Sequence, residues 1–216
     1  MTLREEGIEN TLLQVIADGR KCLVPYITGG FDGYLEAISA AAEAGANAIE
    51  IGIPFSDPVM DGPTIQAAND MVLSDGVTPL QIIDEIASLD VDIPLAVMTY
   101  YNVVYRFGLE RFASNLSEAG ISGIILPDLP FIEASSWKSA ADTKNREAIL
   151  LAAPTTTQEH LKKVCEETRG FVYAVGLLGI TGARKELAES AKIIAGRCKE
   201  MSEKPVLVGV GIGSPD

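Results

Sequence analysis

The sequence predicts an α/β fold of the TIM (β/α)8 barrel class. Short apolar, β-prone runs alternate along the chain with segments of helical period. The runs are nearly continuous in apolar residues, which indicates parallel strands covered by helices, in either a closed barrel or an open doubly wound sheet. The barrel is favoured because polar residues follow the C-terminal ends of several strands and no GxGxxG motif follows the first.

Seven strands are predicted, each bounded by turn residues. They span residues 22–28, 46–53, 93–100, 121–127, 147–153, 170–176 and 204–210. Helical period is clearest at 32–45, 78–89, 109–120 and 184–201, and several of these segments end in the glycine expected after a helix. The amphipathic segment 4–19 is expected to cap the barrel floor, because its apolar residues need a partner surface.

The eighth βα unit of the barrel is missing from the predicted pattern. The last residues, GVGIGSPD, begin within the seventh run and continue past its end. A seven-stranded barrel would expose the edges of its first and last strands. We therefore expect residues 1–216 to form a single barrel domain that is incomplete at its C-terminal end.

Composition excludes several classes of function. The chain has 216 residues, 47% of them hydrophobic, which is enough for a sizeable core. Its net charge of −13, with scattered Lys and Arg, argues against nucleic-acid binding. No apolar run approaches the roughly 20 residues of a membrane helix. Three widely spaced cysteines predict neither disulfides nor a zinc site, which favours the cytoplasm.

Metal binding is not predicted either. The single histidine, His160, lies in a stretch that indicates a solvated helix face. Histidines, cysteines and carboxylates do not cluster at the spacing of metal ligands.

Glu50 is the first candidate for chemistry. It lies near the C-terminal end of the second predicted strand, inside the apolar run ANAIEIGI. Burial raises the pKa of an unpaired carboxyl group, which suits proton transfer near neutral pH. A structural carboxylate paired with a backbone donor or a lysine is the alternative. In the loop that follows, Pro54, Pro58 and Pro63 fix the backbone, so that Asp61 can reach back over the strand ends.

The string EIGIPFSDPVMDGPTIQ, residues 50–66, resembles the α subunit family of tryptophan synthase. Further matches occur in the family's order: PYITGG at 25–30, YYN at 100–102, LPDLP at 126–130, GITGAR at 179–184 and GVGIGS at 209–214. The resemblance implies retro-aldol cleavage of indole-3-glycerol phosphate to indole and glyceraldehyde 3-phosphate in tryptophan biosynthesis. This carbon–carbon lyase reaction requires no cofactor in the α subunit.

The resemblance also implies roles for individual residues. Glu50 would be the general acid and base, and Asp61 would bind the indole N–H and stabilise positive charge. Tyr173 would line the site and orient the glutamate, although an ordinary barrel tyrosine is the alternative. The expected substrate-binding residues are Tyr26, Tyr100 and Leu126 around the indole, Thr181 in a closing loop, and Gly182, Gly211, Gly213 and Ser214 at the phosphate.

A partner is implied as well. The family forms an α-β-β-α heterotetramer in which a β subunit containing pyridoxal phosphate receives the indole. The loop around Asp57 and Pro58 is similar to the docking surface. Leu177 departs from the arginine that many members carry before the closing loop.

Two alternative functions remain open at this point. The chain could be another phosphosugar lyase or isomerase on the same barrel, but no lysine lies in the second to sixth predicted strands, which argues against a Schiff base. It could also be a weak or silent paralogue that binds and regulates a β subunit. The joint presence of Glu50, Asp61 and Tyr173 argues against a silent copy.

Overall fold

The computed structural model describes residues 3–176 and 184–209. It consists of two compact units, residues 1–148 and 149–216, which we call unit 1 and unit 2 and describe separately. The prediction that residues 1–216 form a single domain, incomplete by one βα unit, stays a prediction.

The sheet in the described part of unit 1 is parallel, in the order β1-β2-β3-β4. Its strands are β1 (Tyr26–Thr28), β2 (Ile49–Gly52), β3 (Leu95–Met98) and β4 (Gly123–Ile125). Each strand lies inside a predicted run but is shorter than it. One reason is that Pro25 and Pro94 precede β1 and β3, and a proline has no N–H to donate to the ladder.

The helices of unit 1 lie on one face of this sheet or, at the N-terminus, against the beginnings of its strands. They are α1 (Leu3–Glu6), α2 (Ile8–Ala17), α3 (Tyr34–Glu43), α4 (Pro63–Ser74), α5 (Pro79–Ala87), α6 (Tyr101–Phe107), α7 (Leu109–Glu118), a 3-10 helix (Phe131–Glu133) and α8 (Ser135–Thr143). Thr78 caps α5 by accepting a hydrogen bond from the backbone N–H of Gln81, and Pro79 occupies its first turn. Gly45 and Gly120, which follow α3 and α7, have positive φ angles, as the sequence predicts for helix ends.

The core of unit 1 lies between the sheet and these helices. Ile49 and Ile51 of β2 pack in one buried cluster with Ile38 of α3, Ile82 of α5 and Phe112 of α7. Because side chains alternate across a strand, the residues between these isoleucines face the other side of the sheet.

The N-terminal segment packs against the beginnings of the strands, as predicted for a cap on the floor. Ile8, Leu12 and Val15 of α2 are buried. The Arg4 guanidinium donates to the carbonyls of Leu89, Ala119 and Gly120, in the loops before β3 and β4, at 2.8–3.0 Å.

Unit 2 continues the alternation of strand and helix. Its described elements are β5 (Glu147–Ala152), whose first two residues belong to unit 1, α9 (Gln158–Glu167), β6 (Val172–Ala174), α10 (Arg184–Lys199) and β7 (Val206–Val208). Strands β5, β6 and β7 are parallel, with Tyr173 opposite Leu207.

Within residues 3–176 and 184–209, no helix combines the length and the apolar character that spanning a bilayer requires. Cys22, Cys165 and Cys198 are free thiols.

Candidate active site

Glu50 lies on the face of β2 that points away from the helices. Its neighbours Ile49 and Ile51 pack into the helical core, so the alternation of the strand directs Glu50 and Gly52 to the opposite face. Only 4% of Glu50 is exposed. Burial, together with the negative charge of Asp61, raises the pKa of the Glu50 carboxyl to about 7. The group can therefore exist as an acid or as a base near neutral pH.

Asp61 is held in place by the loop between β2 and α4. Its backbone N–H donates to the Pro58 carbonyl at 3.0 Å, and its own carbonyl accepts from the Gln66 side chain at 2.8 Å. Pro63 begins α4 directly after the loop, because a proline is tolerated in the first turn of a helix. These two hydrogen bonds fix the backbone N–H and the backbone carbonyl of Asp61.

The Asp61 carboxylate has two hydrogen-bond donors. Tyr100 donates its hydroxyl to it, and the same hydroxyl oxygen accepts from the Met60 N–H at 2.9 Å. Asn69 of α4 donates Nδ2 to Oδ2 of Asp61 at 3.4 Å. Burial raises the pKa of Asp61, whereas these two donors lower it. The pKa of about 7 belongs to Glu50, the more deeply buried of the two neighbouring carboxyl groups.

The Tyr26 phenol lies beside this pair. Tyr26 is opposite Glu50 in the parallel register, and its side chain leans over Gly52, where a Cβ atom would come 1.9 Å from Oη. Burial and the charges of Asp61 and Glu50 raise the pKa of Tyr26 to about 12, against a hydrogen bond with Thr28 that lowers it. Glycine at position 52 is therefore what admits the phenol.

Apolar side chains at the ends of β3 and β4 complete the surroundings. Tyr100 and Leu126 are 3% and 5% exposed, and the ring of Phe55 stacks on that of Tyr100 with centroids 5.2 Å apart. Asp128, which follows Leu126, accepts a hydrogen bond from the backbone N–H of Tyr101 at 2.8 Å and so caps α6. This cap fixes the chain at Tyr100.

The structure thus brings together four of the predicted site residues within unit 1: Glu50, Asp61, Tyr26 and Tyr100. Leu126 ends the neighbouring strand run. Tyr173 is half-buried on β6 of unit 2, where it leans over Gly209 much as Tyr26 leans over Gly52. Five predicted residues, together with the departure at Leu177, lie outside the described residues: Thr181, Gly182, Gly211, Gly213 and Ser214.

The predicted partner-binding residues lie on the surface of the β2–α4 loop. Asp57 is exposed and accepts a hydrogen bond from the Ser56 hydroxyl at 2.7 Å, while Pro58 is half-buried. The next residues, Val59 and Met60, are 77% and 45% exposed. This loop thus presents two apolar side chains to solvent.

The sequence motifs did not reveal Asn69. It is 3% exposed and lies on the inward stripe of α4, between Ile65 and Val72 at positions i, i+4 and i+7. The available signal was a polar residue at an apolar position of a helical stripe. This signal can be recognised only when a helix is predicted over residues 63–74, and no helix is predicted there from the sequence.

The residues that the structure describes do not form a metal site. Among them, no three His, Cys, Asp or Glu side chains come together in a way that could hold a metal ion. His160 is exposed on α9, in the helical setting that the sequence predicts.

Comparison with known proteins decides the family. The sequence profile described as "Tryptophan synthase alpha chain" matches residues 12–216. The chain belongs to the tryptophan synthase alpha chain family. A member from Methanosarcina mazei is 43% identical over 195 residues, covering 89% of this chain and 71% of the relative. One from Geobacter sulfurreducens is 40% identical over 215 residues, covering 97% and 81%.

Solved structures agree with the family assignment. Tryptophan synthase from Mycobacterium tuberculosis matches with a TM-score of 0.86 and 37% identity, over 95% of this chain and 80% of the other. A chain of the tryptophan synthase a2b2 complex from Pyrococcus furiosus gives 0.80 and 36%, over 88% and 79%. The predicted family, fold class and lyase function are confirmed, and the two alternative functions receive no support.

Proposed function

We propose that Glu50 and Asp61 carry out the lyase reaction of the family, the cleavage of indole-3-glycerol phosphate. The observation that supports this assignment is the pairing of a buried Glu50, whose pKa is about 7, with an Asp61 carboxylate that two donors hold in place. Two neighbouring carboxyl groups with different surroundings suit two different roles.

The proposed chemistry begins on the indole ring. The C3 carbanion is a poor leaving group, so Glu50 first transfers its proton to C3 and gives an indolenine. The Asp61 carboxylate accepts a hydrogen bond from the indole N–H and stabilises the positive charge that develops there. The ionised Glu50 then takes the proton of the neighbouring glycerol hydroxyl. The C–C bond breaks, its electrons return to the ring, and Glu50 is again protonated.

The remaining predicted residues are proposed to bind substrate. Tyr26, Tyr100 and Leu126 would form the slot for the indole ring, since Tyr100 and Leu126 are buried at the ends of β3 and β4. Tyr173, in unit 2, would have the supporting role in the site that the family resemblance implies. Thr181 would belong to the closing loop, and backbone N–H groups at Gly182, Gly211, Gly213 and Ser214 would hold the phosphate.

Indole release from indole-3-glycerol phosphate tests the proposal. We expect the chain, assayed together with a β subunit, to form indole, and the variants Glu50→Gln and Asp61→Asn to lose about 10²- to 10⁴-fold in kcat, the size of a general acid–base contribution. Asp70→Asn is a matched control, because Asp70 is exposed and lies on the helix that follows the same loop. Unchanged kcat in the Glu50 and Asp61 variants would reject the assigned chemistry.

We also propose that this chain binds a β subunit in an α-β-β-α complex, where pyridoxal phosphate would reside in the partner alone. Support comes from the exposed apolar side chains that follow β2, β3 and β4 in unit 1: Val59 and Met60, Tyr105 at 70% and Ile132 at 75% exposure. Exposed apolar residues that follow three neighbouring strands indicate a protein interface.

Size-exclusion chromatography of mixed subunits tests the partner. Co-migration is expected for the natural chain and loss of it for Val59→Asp or Ile132→Asp, whereas Ile193→Asp, at 56% exposure on α10, is the control that should still bind. A mixture that never co-migrates contradicts the proposal.

We propose a cytoplasmic location as well, which the three free thiols favour and which cell fractionation would check.

A further inference from the structure

Asn69 has a position that the fold of unit 1 does not explain. It lies in the interior of α4, where asparagine is a weak helix former, and it is 3% exposed. Its Oδ1 atom is buried and has no hydrogen-bond partner among the residues that the structure describes. A buried amide oxygen without a partner costs stability. An apolar residue at this place would continue the stripe of Ile65 and Val72 at no such cost.

The other end of the Asn69 amide faces the candidate active site. Nδ2 donates to Oδ2 of Asp61 at 3.4 Å. An ionised carboxylate only accepts hydrogen bonds, so it is the donor end of the amide that suits an ionised Asp61. The buried Asn69 side chain thus uses its donor end to bind the Asp61 carboxylate.

Asp61 needs such a donor because burial disfavours its ionised form. The charge of Asp61 raises the pKa of Glu50 on β2 and of Tyr26 on β1, while burial disfavours that charge and Tyr100 donates a hydrogen bond to it. Tyr100 approaches from the end of β3, whereas Asn69 approaches from α4. The two donors come from separate elements and therefore fix the direction of the carboxylate.

We propose that Asn69 is a positioning residue that keeps Asp61 ionised and aimed at the indole N–H during the lyase reaction. The inference rests on the proposed function, in which Asp61 stabilises positive charge on the ring. Asn69 acts through Asp61 rather than on the substrate. Its role is to ensure that, of the two carboxyl groups, the proton belongs to Glu50.

The main test replaces Asn69 by residues of similar size. Asn69→Leu removes the donor, and Asn69→Asp replaces it by an acceptor. For Asn69→Leu we expect kcat at pH 7 to fall about tenfold, the size of a lost hydrogen bond to a charged group, with a smaller change in KM. The acid side of the pH profile should move upward, because Asp61 would then ionise at higher pH. Asn69→Asp should have the larger effect.

Gln66→Leu is the matched control on the same helix. Gln66 donates to the backbone carbonyl of Asp61 at 2.8 Å and not to its carboxylate. We expect its pH profile to match that of the natural chain. The two Asn69 variants could instead lose activity in parallel with a lower melting temperature and keep unshifted pH profiles. In that case Asn69 has only a structural role and the inference is wrong.

A second readout separates this inference from the proposed function. Carbon-13 NMR titration of the Asp61 carboxyl group should show a higher pKa in Asn69→Leu than in the natural chain, whether or not indole is formed. A natural chain without lyase activity would reject the proposed function alone. An unchanged Asp61 titration in Asn69→Leu would overturn the role of Asn69 even in an active enzyme.

Discussion

Two buried glutamates of unit 1, one at the start of a strand and one at the end of another, have opposite surroundings. Glu147, 7% exposed at the start of β5, accepts hydrogen bonds from the backbone N–H groups of Ile8 and Glu9 at 2.7 and 2.9 Å. These donors are at the N-terminus of α2, where negative charge is stabilised. Glu50, 4% exposed at the end of β2, has the Asp61 carboxylate as its charged neighbour. One glutamate is buried with donors and the other is buried against a like charge.

The same contrast extends to the other polar groups at the two ends. Before the strands, Arg4 satisfies three backbone carbonyls at once. After the strands, Asn69 leaves its buried oxygen without a partner in the described part of the chain. In parallel barrels the C-terminal ends of strands carry chemistry and the N-terminal ends carry stability. Of these two glutamates, the one at the functional end is therefore the one whose surroundings disfavour its charged form.

The largest expected effect comes from removing the ionisable group at each position. The pKa of Glu50 in the folded state, about 7, is above the 4.5 of an unperturbed glutamate, so the folded protein binds the proton more tightly than the unfolded chain. Its stabilising contribution is complete below about pH 4.5 and is lost as pH rises through 7. Above pH 7, Glu50→Gln should therefore increase the free energy of unfolding by about 3 kcal/mol. Urea unfolding at pH 5 and pH 8 measures this.

Glu147→Gln is the matched variant at the other end. The amide presents one oxygen where the carboxylate presents two, so one N–H of α2 loses its acceptor and the helix loses the favourable charge. We expect a loss of about 1–2 kcal/mol in stability and unchanged indole formation. If both glutamine variants change stability in the same direction at pH 8, the contrast between the two ends is wrong.

Arg4→Met should give the next largest effect. The variant keeps much of the aliphatic stem but removes the donors to Leu89, Ala119 and Gly120. We expect a loss of about 2 kcal/mol in stability, because buried carbonyls are left without partners. Arg20→Met is the control, since Arg20 pairs with Asp18 in an exposed salt bridge at 3.4 Å, and such pairs contribute about 0–1 kcal/mol. Thermal unfolding compares the two; equal losses would contradict the structural role of Arg4.

Local sequence signals predicted the frame of the site. The apolar runs located all seven described strands, and a lone carboxylate near the end of one run pointed to Glu50. Both features are local: strand patterning is set by burial of neighbouring residues, and a charge in an apolar run is visible without knowing the fold. The proline-rich loop that brings Asp61 close could be predicted for the same reason.

Long-range partners could not be predicted in this way. Glu147 caps a helix that lies 138 and 139 residues earlier in the chain, so no local pattern marks it as a cap. Helix α4 was missed because its first turn follows directly on the loop and its apolar stripe contains Asn69. The hydrogen bond from Asn69 to Asp61 depends on how α4 packs, which only the folded structure specifies.

The smallest expected change in stability comes from two glycines, one at each end of the strands. At Gly52 an added Cβ would meet the Tyr26 hydroxyl at 1.9 Å, and at Gly7 it would lie 3.3 Å from Oε1 of Glu147 on a backbone with φ of +85°. Gly7→Ala should cost about 1 kcal/mol of stability through backbone strain and leave indole formation unchanged.

Gly52→Ala should instead act on activity. The methyl group displaces the end of the Tyr26 side chain, which can swing away at a cost of about 1 kcal/mol, but the phenol then leaves its place beside Glu50 and Asp61. We expect indole formation to fall several-fold while the melting temperature changes little. Adding Tyr26→Leu to Gly52→Ala relieves the clash and should restore stability without restoring the rate. A Gly7→Ala variant that loses activity as strongly as Gly52→Ala would show that the two ends of the sheet do not divide stability from chemistry.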